Sequence, residues 1–205
     1  MENTLLKAMK FRHAAKDFNQ EKEISEENFN QILEAGRLSP SSFGLEHWKF
    51  IVVKNKELKE ELQIASMNQK QIPTSSHTVI ILNKIEDVKP HSPYVSSLFK
   101  SRMPKEVAEF VETFHGTFTK DLTQEQLSDW SKKQCYIAAA NMMTMGAYLG
   151  IDSCPMEGFN EAEVQKILNI KPQEYGVAMI LPFGYRASEP RPKTRHELKN
   201  IIEYK

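Results

Sequence analysis

The chain has 205 residues, and its 27 basic and 27 acidic side chains cancel to a formal charge of zero, with 40% of residues hydrophobic. That length can bury one good core, and a balance without a basic stripe argues against nucleic acid as a partner, since tracking phosphates needs net positive charge along one face. The opening MENTLLKAMKF has no apolar leader or small-residue cleavage pattern, and Cys135 and Cys154 lack CxxC spacing; both features point to a reducing cytoplasm.

The sequence predicts a first helix over residues 3–10. Ser25 offers its hydroxyl as the cap of a second, in which Phe29, Ile32 and Leu33 recur at helical spacing. WKFIVV at residues 48–53 is rich in strand formers, KELKEELQIA returns to helix, and HTVIIL is a second, buried strand. Residues 84–120 turn polar and carry Pro90, Pro93 and Pro104. Within them Phe110, Phe114 and Phe118 recur every fourth residue, which predicts an amphipathic helix on an excursion from the core. Those rings either dock the excursion or overhang a site.

Thr123 and Gln126 form a capping-box pattern that opens a long helix to about residue 149. The uncharged run CYIAAANMMTMGAYLGI, residues 135–151, is slightly short for a bilayer span and has no companion span. It reads as a central helix buried on all sides, with Met142, Met143 and Met145 as adaptable core filler. Asn160 starts a short helix through Val164, Ile167 and Leu168, and YGVAMILPFG, residues 175–184, is a third strand. Strands and helices mixed without a regular βαβ rhythm predict a single α+β domain, a sheet packed by helices. The tail after Gly184 gathers Arg191, Lys193 and Arg195.

Several chemistries lack their motifs. There is no GxGxxG, no GxxxxGK[ST] and no GxSxG, so neither dinucleotide fingerprint, P-loop nor serine elbow is present. His13, His47, His77, His91, His115 and His196 are scattered without HExxH or a Cys-His spacing, so no metal site is expected. What remains is Arg12-His13 with Lys16, the SPSS turn at residues 39–42, the PMEG turn at residues 155–158, and the cationic tail.

In this order, RHAAKDF, SPSSFGLEHWKF, CPMEGF and RPKTR resemble the FMN-dependent nitroreductase family of the oxygen-insensitive NAD(P)H type, over nearly the whole chain. The resemblance implies a central mixed, mostly antiparallel sheet packed by helices, in an intertwined homodimer. One domain would span residues 1–205, with the 84–120 excursion near the site and the 185–205 extension reaching the partner subunit. It implies FMN as cofactor and NADH or NADPH as electron donor. Electrons would pass by a ping-pong mechanism to nitroaromatics, quinones or similar small acceptors, with no nucleic acid and no membrane involved.

By the same resemblance, Arg12, Lys193 and Arg195 would hold the flavin phosphate, with His13 and Ala14 beside it. A dianionic phosphate suits arginine with supporting lysine. Lys16 looks like the lysine that reaches the ring near N1 and C2=O, where reduced flavin gathers negative charge. Pro40, Ser41 and Ser42 resemble the turn laid against the partner's cofactor. Asn68 and Gln71 look like the pair that reads the pyrimidine edge. Pro155, Met156, Glu157 and Gly158 are similar to the turn whose backbone N–H faces flavin N5, so Glu157, Gly158 and Lys16 form the expected catalytic set. Phe43 and Phe114 would face substrate. The chain departs from the family in Phe43–His47, where Asn and then Gln-Pro commonly precede Trp. It departs again at Gln71, often a lysine, which implies a less oxidising flavin. Two other readings stay open from sequence: a flavin-holding or redox-sensing module with little turnover, and a flavin-free anion- or nucleotide-binding protein.

Overall fold

The computed structural model describes residues 4–205. Four strands, β1 (Trp48–Val53), β2 (His77–Lys84), β3 (Asp152–Ser153) and β4 (Tyr175–Gly184), form one sheet in the order β1-β2-β4-β3. Every pairing between these strands is antiparallel, and Ile80 stands between Ile51 and Ile180 in register. The parallel component is a single bridge between Ala14 and Ser153. β2 and β4 are apolar and buried almost end to end because helices cover both faces of the sheet.

The helices are α1 (Thr4–Phe11), α2 (Glu26–Arg37), α3 (Lys56–Ala65), α4 (Pro93–Arg102), α5 (Lys105–Thr119), α6 (Gln124–Tyr148) and α7 (Glu161–Ile167). Ser25 Oγ accepts the Asn28 N–H and starts α2, while Thr123 and Gln126 close a reciprocal capping box at the head of α6. On one sheet face Phe29 and Ile32 of α2 and Ala138 and Met142 of α6 pack on Val79, Ile81, Leu181 and Phe183. On the other, Leu62 of α3 and Val164 of α7 pack on Ile80, Leu82 and Ile180. Each such side chain contributes about 1.5–3 kcal/mol when fully buried. The sheet is thereby fixed from both sides, which holds its β3 edge as a rigid platform for the segments that follow.

The structure is α+β, as the sequence indicates, with differences in detail. The expected start of the first helix at residue 3 lies outside the described residues. The excursion is two helices, because the chain is extended at Met103 and Pro104 before α5 begins. The phenylalanines at every fourth position contribute only the rim of its docking, where Phe114 and Phe118 meet Phe43 and Phe118 also meets Trp130. Val95, Phe99 and Ala108 form the buried contact with Leu45 and Leu127, while Phe110, Phe114 and Phe118 lie on the exposed side of α5. α6 is not buried on all sides either: Tyr136, Ile137 and Tyr148 are exposed. No helix among the described residues is long and apolar enough to cross a membrane.

Candidate active site

Two distant stretches meet at the β3 edge. The N–H of Ala15 donates to Ser153 O at 3.1 Å, next to the Ala14–Ser153 bridge. Beyond β3 the chain stays attached to β4: Cys154 N–H donates to Pro182 O, and Met156 and Ile180 exchange backbone hydrogen bonds at 2.9 and 3.1 Å. The RHAAK segment is therefore laid alongside CPMEG. Between Met156 and Phe159 the N–H groups of Glu157 and Gly158 have no acceptor among the described residues.

Lys16 Nζ donates to Cys154 Sγ at 3.7 Å, and Gln71 Nε2 reaches the same sulfur at 3.8 Å. Gln71 also donates to Gln69 Oε1 at 2.8 Å, and Gln69 Nε2 donates to Gly158 O at 3.0 Å. Lys16, Gln71 and Gly158 thus belong to one string of bonds, with Cys154 and Gln69 as the members that sequence reasoning missed. Asn68 stands outside that string: its backbone bonds run to Gln63, and it sits exposed at φ 54°. Burial pushes the Cys154 thiol pKa up, against smaller opposite effects of Lys16 and Gln71, so the sulfur is a neutral thiol.

The cationic residues gather around a cleft of about 580 Å³ lined by Arg12, Met143, Thr144, Pro155, Lys193 and Arg195, among others. Lys193 Nζ donates to Met9 O at 2.5 Å and to Arg12 O, which pins the tail to the end of α1. Partial burial of that ammonium lowers its pKa, and the Arg12 and Arg195 charges lower it further. None of the three cations has a carboxylate partner among the described residues. Arg191 lines a second cleft, of about 570 Å³, beside Lys16 and Ala14. His13 turns elsewhere, with Nδ1 3.5 Å from Asp152 Oδ1. That buried carboxylate is held by Arg186, whose backbone N–H and Nε each donate to Oδ2 at 3.0 Å. The Arg186 NH2 group approaches Oδ1 at 2.9 Å as a close ion contact without hydrogen-bond geometry.

The SPSS turn lies against α6 and takes no part in the cleft lined by Arg12, Lys193 and Arg195. Ser42 N–H donates to Gln134 Oε1 at 3.0 Å, Ser41 Oγ accepts from Glu46 N–H, and Pro40 is exposed. Phe43 follows at φ 56°, a left-handed conformation that costs a non-glycine residue energy. Its ring meets Phe114, His115, Phe118 and Trp130 at centroid distances of 5.9, 5.2, 5.8 and 6.3 Å. The two expected substrate-facing rings, Phe43 and Phe114, are thus in contact. His47 is buried under this group, and its Nε2 lies 3.2 Å from Ser42 O. Desolvation lowers its pKa to about 4, so the ring is neutral and donates from Nε2.

This sheet, with a cationic cleft and a donor string at its edge, defines a nitroreductase-type fold, and the Nitroreductase family profile matches residues 9–185. The chain belongs to that family. It is 44% identical over 217 residues to a provisionally named NAD(P)H nitroreductase of Staphylococcus epidermidis, covering 100% of this chain and 98% of the relative. A Bacillus subtilis nitroreductase-type structure superposes with a TM-score of 0.86 at 24% identity, covering 97% of each chain. A nitroreductase-type structure from Exiguobacterium sibiricum, solved in complex with FMN, superposes with a TM-score of 0.83 at 22% identity, covering 100% of this chain and 99% of that one. These two structural likenesses are likenesses of fold.

Proposed function

We propose that the protein is an FMN-dependent oxidoreductase that passes electrons from NAD(P)H to nitroaromatics, quinones or similar small acceptors by a ping-pong mechanism. One observation carries the reading: Arg12, Lys193 and Arg195 converge without a carboxylate partner among the described residues, so the cluster lacks the anion its charge calls for. A dianionic phosphate fits it. The donor string fits the other end of the same cofactor. Lys16 bonds only a weak sulfur acceptor among the described residues, and the Glu157 and Gly158 N–H groups are free. These are donors suited to a flavin's carbonyl and ring-nitrogen edge.

When bound, FMN supplies the two-electron chemistry, so the chain's residues position and polarise rather than transfer protons. Arg12, Lys193 and Arg195 would bind the phosphate, with Lys193 also pinning the tail to the end of α1. Lys16 and Gln71 orient the pyrimidine end, and the Lys16 charge favours the reduced state. Glu157 and Gly158 would offer their backbone N–H groups to the ring. Phe43 and Phe114 form an apolar wall for donor and acceptor in turn, which suits alternate occupation of one site.

The functional unit in this reading is a cytoplasmic homodimer. α6 exposes Tyr136, Ile137 and Tyr148, α1 exposes Leu6 and Met9, and the tail exposes Leu198, Ile201 and Tyr204, which supports a second copy covering them. The Pro40–Ser42 turn would then serve the partner's cofactor. The test is direct. Purified protein should be yellow with near-stoichiometric FMN, anaerobic NADH or NADPH should bleach it, and a quinone or nitroaromatic should restore the colour. A colourless protein that takes up no FMN overturns the proposal. Bound FMN that neither nicotinamide reduces would leave a flavin-holding module instead.

A further inference from the structure

We propose that Cys154 is a positioning residue: its thiol holds the Lys16 ammonium and the Gln71 amide toward one point and, through them, sets the flavin's reduction potential. This rests on the FMN reading above. Cys154 is fully buried and is the junction of the donor string, with Lys16 Nζ at 3.7 Å and Gln71 Nε2 at 3.8 Å from one sulfur. The other polar neighbour of the sulfur among the described residues is Pro155 O, at 4.0 Å, so Lys16 and Gln71 are its nearest polar partners. The backbone of Cys154 is itself fixed to β4 through Pro182 O at 3.1 Å, so the sulfur is mounted on the rigid sheet rather than on a loop.

A thiol has specific consequences here. A methyl in its place would leave Lys16 without a partner among the described residues and Gln71 with Gln69 alone. A thiolate would cancel the Lys16 charge, but burial keeps the sulfur protonated, so the full ammonium charge stays available to a ligand. A neutral sulfur is also a weak acceptor, so it aims both donors without competing with a flavin carbonyl. Because Gln71 bonds Gln69, and Gln69 bonds Gly158 O, the same sulfur ties the pyrimidine-facing donors to the turn beside the ring. A cation held at the pyrimidine end stabilises the negative charge of reduced flavin more than the oxidised form. Loosening it therefore lowers the potential.

The test compares midpoint potentials and FMN dissociation constants of holoprotein variants. Cys154→Ala should lower the ratio of reduced- to oxidised-flavin affinity about tenfold, which is about 30 mV for a two-electron couple. Cys154→Ser, which keeps an acceptor, should recover most of the shift. In a Lys16→Met/Gln71→Leu background, Cys154→Ala should have no further effect, because the residues it acts through are gone. The inference is overturned by FMN-loaded Cys154→Ala with a wild-type potential, by equal shifts in the alanine and serine variants, or by an undiminished shift in the doubly substituted background. A wild-type chain that binds no FMN overturns the flavin reading itself, and this inference with it.

Discussion

Tyr136 on α6 donates its phenol O–H to Glu157 Oε1 at 2.7 Å. Partial desolvation of this otherwise exposed side chain first, then the neighbouring carboxylate, pushes that phenol pKa up to about 12, so it remains a donor across the working pH range. The one acid in the PMEG turn is therefore tied to the central helix. The backbone N–H groups beside it, by contrast, have no acceptor among the described residues.

Glu157→Gln keeps an oxygen that can accept from Tyr136, so it should retain FMN and most of the rate of reduction by NAD(P)H. Gly158→Val should do worse. A Cβ at residue 158 would stand 3.2 Å from Gln69 Nε2 and 3.6 Å from Met67 Sδ, and a branched side chain would stiffen the turn. A tenfold slower reduction corresponds to about 1.4 kcal/mol in the barrier. Stopped-flow traces of both variants decide between carboxylate and backbone. A large loss in the glutamine variant, at normal flavin content, would make the carboxylate the acting group.

Arg12→Ala and Arg195→Ala should each release FMN from an otherwise folded protein. Each substitution removes a charge-assisted contact to the phosphate, worth about 1.5–3 kcal/mol of binding. Flavin content after desalting, set against an unchanged circular-dichroism spectrum, reads this directly. Stoichiometric flavin in both variants would remove the phosphate clamp.

Sedimentation should find a dimer that hardly dissociates on dilution, since the exposed apolar side chains Tyr136, Ile137 and Tyr148 of α6 and Leu198, Ile201 and Tyr204 of the tail call for cover. An FMN-saturated monomer would show that the Pro40–Ser42 turn is not shared between chains.

Stability should fall as the solution is acidified from neutral toward pH 4. Desolvation holds the pKa values of buried His47 and His77 at about 4, below the ordinary histidine value. Between those two limits the unfolded chain holds protons that the folded chain refuses, so each histidine lowers stability by up to about 1.4 kcal/mol per pH unit. Above pH 7 neither contributes. His47→Gln should flatten the acid limb of a plot of unfolding free energy against pH. An identical slope would mean that folding does not change the protonation of His47.

β1 and α3 were legible to the residue, because WKFIVV is a run of strand formers and KELKEELQIA one of helix formers. β3 was not, because two residues carry no periodicity and Asp152–Ser153 is a strand only by pairing with β4. The break at Pro104 could be read as a stop, but the inward face of α5 could not. Every fourth phenylalanine marks one side of a helix without saying which side meets the core. At the site, RHAAK and PMEG stood out through their charge and their glycine. Gln69 and Cys154 have no such mark, since their importance comes from contacts across 89 and 138 positions of sequence.

Those separations bear on how the site comes into being. Lys16 meets Cys154 across 138 positions, and Lys193 meets Arg12 across 181. Closing loops of that length costs entropy before any contact returns it, so such contacts form late in folding. The pieces of this site therefore share no local nucleus, and no contiguous fragment of the chain can carry a rudimentary version of it. A ligand that selects this arrangement therefore reports on both ends of the chain being in place.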